Sequence, residues 1–117
     1  MERKEITIKI KELFPELIKE FSDFDSLTLR ESGLRVRVEI EKILEKEKNA
    51  VIILDFEGLE LITQGFADEI VGVLIRRKGV DFVKERIKPI NMNEFIRGTL
   101  NWVASYSKKM VTTAENK

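Results

Sequence analysis

Four consecutive apolar residues, Val51, Ile52, Ile53 and Leu54, run without a polar interruption and stop at Asp55. A strand with one wet face alternates polar and apolar side chains, so this unbroken run predicts a central strand of an α/β sheet, covered on both faces. The residues that follow narrow the chain further. Beyond Leu61 and Ile62 the polar trio Thr63, Gln64 and Gly65 breaks the apolar pattern, and Phe66, Ile70, Val73 and Leu74 then recur at helical spacing. Strand, loop and helix start are compressed into residues 50–70, and function is expected at that junction.

The flanking segments supply the rest of an α/β unit. Ile6, Ile8 and Ile10 alternate with polar residues and predict a first or edge strand. Leu13, Phe14, Leu17, Ile18 and Phe21 keep helical spacing, but Pro15 and the polar cluster at residues 22–26 confine that helix to a short one. Residues 27–30 read as a second short strand, broken by Glu31, Ser32 and Gly33. Val36, Ile40, Ile43 and Leu44 then mark a clear helix. The helix after the central strand carries Asp68 and Glu69 near its start and Arg76, Arg77 and Lys78 at its end, complementing its dipole, with Gly79 as the stop. Mid-helix Gly72 reads as a close-packing site. Residues 87–92 read as a strand that Pro89 confines to an edge, and Asn93 reads as the N-cap of a last helix. In that helix Ile96, Leu100, Val103 and Ala104 form a core stripe. Phe95, Trp102 and Tyr106 form an adjacent one, either core or partner surface. One domain over residues 1–107 and a frayed tail over 108–117 complete the expectation.

Composition restricts the chemistry. With 21 basic and 21 acidic residues, the chain has no net pull towards nucleic acid or an anionic membrane. It has no apolar run of membrane-spanning length, so a cytoplasmic location is expected. It contains no cysteine and no histidine, which excludes thiol nucleophiles, disulfides, thiolate zinc sites and catalytic imidazoles. A non-enzyme without cofactor or metal is expected. Asp55, Glu57, Glu60, Asp68 and Glu69 crowd the junction without a base between them, which opposes a bound phosphate. Asp55 and Gly58 read as shaping the turn, and Thr63 as a helix cap. The basic stretch over residues 76–88 lacks the interleaved aromatics of a nucleic-acid surface and reads as a solvated rim.

Residues 51–70, Val-Ile-Ile-Leu-Asp-Phe-Glu-Gly-Leu-Glu-Leu-Ile-Thr-Gln-Gly-Phe-Ala-Asp-Glu-Ile, resemble the central segment of STAS domains, and in particular the STAS-like family of unknown function. The resemblance extends from about Ser32 to about Asn93. It implies a single STAS-like α/β domain with a four- or five-stranded mixed sheet and helices mainly on one face, acting as a prokaryotic regulatory module that binds another protein. In antagonist-type relatives a serine at the helix start is phosphorylated by an ATPase of the histidine-kinase-like fold. Gln64 and Gly65 occupy those positions here and cannot accept phosphate, leaving Thr63 as the only nearby hydroxyl. The expected docking residues are Thr63, Gln64, Gly65, Asp68 and Glu69, with Phe95, Trp102 and Tyr106 as a second interface. The alternatives are a small-ligand or nucleotide sensor and a structural homo-oligomer such as a homodimer.

Overall fold

The structure, a computed structural model, describes residues 3–13, 26–27 and 30–115. Three strands form the main sheet: β1 (Glu5–Lys9), β3 (Val51–Asp55) and β5 (Ile87–Ile90), in the order β1-β3-β5. Both pairings are parallel, with Glu5 opposite Val51 and Ile52 opposite Ile87. A separate parallel pair joins β2 (Ser26–Leu27) to β4 (Leu61–Ile62). The described residues therefore form a three-stranded parallel sheet with a two-residue pair beside it, where a four- or five-stranded mixed sheet was expected. Parallel neighbours need long crossovers. Here α1 (Arg30–Lys46) lies in the crossover from β1 to β3, and α2 (residues 64–78) and α3 (Val80–Arg86) form the one from β3 to β5. The last helix is α4 (Glu94–Glu115).

The central run is middle strand β3, as the sequence predicts, but its two faces differ. Ile52 and Leu54 are fully buried, whereas Val51 and Ile53 are only half-buried. The helices thus seal one face completely and the other in part. Under the sealed face Phe56, Phe66, Ile40, Ile70, Leu74 and Ile96 close the core. Burying a side chain of this size is worth about 1.5–3 kcal/mol.

Three other expectations change. Residues 31–33 do not break the chain, because α1 already runs through them. Gly33 instead permits a close helix crossing: a Cβ there would stand 2.7 Å from the Phe66 carbonyl oxygen and 2.8 Å from Glu69 Cβ. Helix α3, absent from the sequence reading, starts immediately after Gly79, whose φ of 95° ends α2. Helix α4 continues through residues 108–115, where a frayed tail was expected. The short helix expected within residues 13–21 falls almost entirely outside the described residues.

Candidate functional site

The turn that follows β3 is built around Asp55. Its side chain is buried, and Oδ1 accepts from the Glu57 N–H and from Asn91 Nδ2, both at 2.9 Å. The Asn91 amide, then the Glu57 N–H, hold this carboxyl below its ordinary pKa; burial opposes them and Lys9 assists. Asn91 has a φ of 57°, a left-handed conformation that asparagine tolerates better than most residues. Gly58 takes the other special position, with a φ of 87°. Lys11 Nζ donates to its carbonyl at 3.3 Å, and Asn93 Nδ2 donates to the Glu60 carbonyl at 2.7 Å. Asn93 also caps α4, its Oδ1 accepting from the Ile96 N–H at 2.8 Å.

The loop enters α2 at Thr63, whose Oγ1 accepts from the Phe66 N–H at 3.2 Å. Phe66 is fully buried and anchors this start. After one α-helical turn, residues Asp68–Gly72 form a π turn, and Val73–Lys78 resume the α-helix. In an unbroken α-helix, residues 68 and 76 would lie about 80° apart around the axis. The extra residue of the π turn returns them to one face. Arg76 Nη1 then donates to Asp68 Oδ1 at 2.7 Å and to Ser107 Oγ at 2.9 Å, while Nη2 donates to Asp68 Oδ2 at 3.1 Å.

Gly72 supplies the room for this cluster. A Cβ at that position would press on Asp68 Oδ1 and stand 2.9 Å from Ser107 Oγ and 3.0 Å from Arg76 Nη1. Close packing is thus the structural role of Gly72. Glu69 is held by a different arginine, accepting from Arg37 Nη2 at 3.1 Å, and Arg37 also pairs with Glu41. Both acids assigned by sequence to a basic partner are therefore engaged within the fold, and they turn to opposite neighbours. Several residues of the expected basic rim are likewise engaged, Arg77 with Glu41 and Lys88 with the Lys84 carbonyl among them. Arg76 is held by Asp68, and Arg86 is buried, donating to the Ala50 and Glu47 carbonyls beside the Phe82 ring.

The aromatic stripe of α4 faces solvent. Phe95 is 58% exposed, Trp102 53% and Tyr106 52%, while Ile96, Leu100 and Val103 on the adjoining face are buried. The Trp102 and Tyr106 rings lie parallel, their centroids 5.6 Å apart. An open groove of about 430 Å³ runs between these rings and the start of α2, lined by Gln64, Gly65, Asp68, Trp102, Tyr106 and Met110, with Arg76 and Val103 completing it. Two surfaces that the sequence suggests separately therefore meet in one groove. Phe95, Thr63 and Glu69 lie outside its lining, and so do Asp55 and Gly58.

Sequence reasoning missed Arg76, Ser107 and Met110. The i, i+8 spacing of Asp68 and Arg76 is out of phase for an α-helix, and the only visible hint was a glycine midway between them. Met110 fell in the expected tail. Among the described residues no group of three or more acidic side chains converges on one point, and no helix is long and apolar enough to cross a membrane. The sequence profile of the STAS-like domain of unknown function (DUF4325) matches residues 32–96. That span nearly coincides with the resemblance traced from Ser32 to Asn93. No curated protein and no solved structure matches the chain significantly.

Proposed function

We propose that this chain, which belongs to the family of STAS-like domains of unknown function, is a non-catalytic regulatory module that docks another protein in the groove between the start of α2 and the aromatic face of α4. The observation that carries this reading is the pair of half-exposed, parallel rings of Trp102 and Tyr106 beside Gln64 and Gly65. Large aromatic side chains at the wall of a groove are the residue type that dominates binding energy at protein interfaces. Asp68 and Arg76 neutralise each other at the groove floor, so the contact is apolar and hydrogen-bonding rather than ionic.

The partner class implied by the family resemblance is an ATPase of the histidine-kinase-like fold. Gln64 and Gly65 offer no hydroxyl, and the Thr63 hydroxyl caps α2. Docking at this helix start is accordingly proposed to proceed without phosphoryl transfer. A photo-crosslinking residue placed at position 64 in the native host identifies the partner, and calorimetry with the purified pair then measures its affinity. Trp102→Ala is expected to weaken binding at least tenfold, with Lys42→Ala on the exposed side of α1 as the unaffected control. An affinity unchanged by Trp102→Ala refutes the docking surface.

A further inference from the structure

We infer that the second face of the main sheet, away from the core, is a docking surface in its own right, and that it takes an amphipathic helix of a partner protein with acidic side chains on both flanks of its apolar stripe. This surface is independent of the groove beside Trp102. Strand register defines it: Thr7, Ile53 and Lys88 stand in one row, and Lys9, Asp55 and Ile90 in the next. Val51 and Ile53 are half-buried at its centre, yet neither belongs to the core or to the partly buried side chains packed against it. Thr7 and Lys9 on β1 and Lys88 and Ile90 on β5 are exposed. Parallel sheets are ordinarily covered on both faces. Here every buried apolar side chain of the four helices belongs to the one cluster that holds Ile52 and Leu54, on the opposite face.

The dimensions and the charges select the occupant. Neighbouring strands lie about 4.8 Å apart, so β1 and β5 are separated by roughly 10 Å, with β3 between them. That is the width of a single α-helix with its side chains, about 10–12 Å. Val51 to Asp55 spans about 13 Å along β3, matched by roughly nine helical residues. A helix laid along β3 therefore seats its apolar stripe on Val51 and Ile53 and leaves its two flanks above β1 and β5. Each of those strands presents a lysine, Lys9 on one side and Lys88 on the other, roughly 12 Å apart across the face. The Lys88 ammonium gives one hydrogen bond to the Lys84 carbonyl and keeps two donors for a ligand. Asp55 lies between the lysines in the register, but its Oδ1 is already taken by Asn91 and the Glu57 N–H. Glu5 stands level with Val51, about 13 Å along β1 from Lys9. Acids on the two flanks thus complement the Ile53 and Asp55 rows, which makes the face selective for charge as well as for shape.

Titration of the full chain with a synthetic helical peptide of about fourteen residues, a leucine stripe flanked by glutamates, tests the inference by nuclear magnetic resonance. The amide resonances of Thr7, Val51, Ile53 and Lys88 are expected to shift. The peptide is expected to bind about fivefold more tightly than the same stripe flanked by lysines. Lys9→Glu combined with Lys88→Glu changes two exposed side chains, so the fold is expected to stay and the preference between the two peptides to invert. No binding, equal affinity for both peptides, or shifts confined to α4 overturns the inference. Shifts of Thr7 and Ile53 that follow protein concentration alone would make a second copy the occupant, and overturn it equally. Trp102→Ala is expected to leave this binding unchanged, so the sheet face and the groove are tested separately.

Discussion

Replacing Gly33 by alanine sets two opposed effects against each other. Alanine is a better helix former than glycine by up to about 1 kcal/mol, so propensity alone favours the change. The new Cβ, however, would stand 2.7 Å from the Phe66 carbonyl oxygen, 2.8 Å from Glu69 Cβ and 3.1 Å from Phe66 Cα. Two of those three atoms are backbone, and the fully buried Phe66 ring pins that backbone to the core. They cannot recede without opening the α1–α2 crossing, and overpacking of this kind costs about 1–3 kcal/mol. The clash is expected to win, with a net loss of about 1–2 kcal/mol, or a fall in Tm of several degrees. Gly98→Ala is the matched control: nothing lies within 4 Å of its Cβ, so it is expected to gain about 1 kcal/mol. Urea unfolding followed by far-UV circular dichroism measures both. If Gly33→Ala stabilises the chain as much as Gly98→Ala does, the close crossing of α1 over the start of α2 is wrong.

Two further outcomes follow from the same geometry. Asn91→Gly keeps the left-handed backbone but removes the amide that most lowers the Asp55 pKa, so a loss of about 1 kcal/mol is expected at neutral pH. A depressed carboxylate pKa contributes stability that is fully present above the unfolded value near 3.8 and is lost as pH falls through the lower folded value. Acid unfolding of Asn91→Gly should therefore show a shallower loss below that value than the parent chain, and an equally steep loss would discount the Asn91 contact. Gly72→Ala presses only on the far ends of Asp68, Arg76 and Ser107, which can swing away. Its stability is expected within about 1 kcal/mol of the parent, since helix propensity offsets the weakened ion pair. The Arg76 guanidinium resonances are expected to lose their protection in nuclear magnetic resonance spectra, and unchanged resonances would contradict the slot.

What was legible in the sequence was what periodicity and capping chemistry dictate. The apolar run at Val51–Leu54, the cap at Asn93 and the edge strand containing Pro89 all follow from residue type and spacing. Whether Trp102 and Tyr106 were buried could not be read, because an aromatic stripe beside a core stripe has the same spacing in either case. The π turn was invisible for a related reason: it changes the helical phase itself, so Asp68 and Arg76 looked out of register. Gly33 illustrates a different limit. A glycine between a strand signal and a helix signal reads as a break, yet its role depends on an approach by residues more than thirty positions away. The two-residue strand β4 is too short to carry a periodic signal, and β2 meets the short strand read at residues 27–30 only at Leu27.

The parallel order of the sheet also bears on how the chain reaches its fold in time. Strand β3 takes one neighbour from 46 positions earlier, where Val51 faces Glu5, and the other from 35 positions later, where Ile52 faces Ile87. Neither edge of the most hydrophobic strand can be satisfied by a local hairpin. Each pairing waits for a whole crossover to close, and the loop entropy of that closure is lost before any ladder contact repays it. Until then Val51–Leu54 is a sticky, unpaired segment. The central run that most tightly constrains the architecture is thus also the segment most dependent on the prompt folding of α1 and α2 for protection from aggregation.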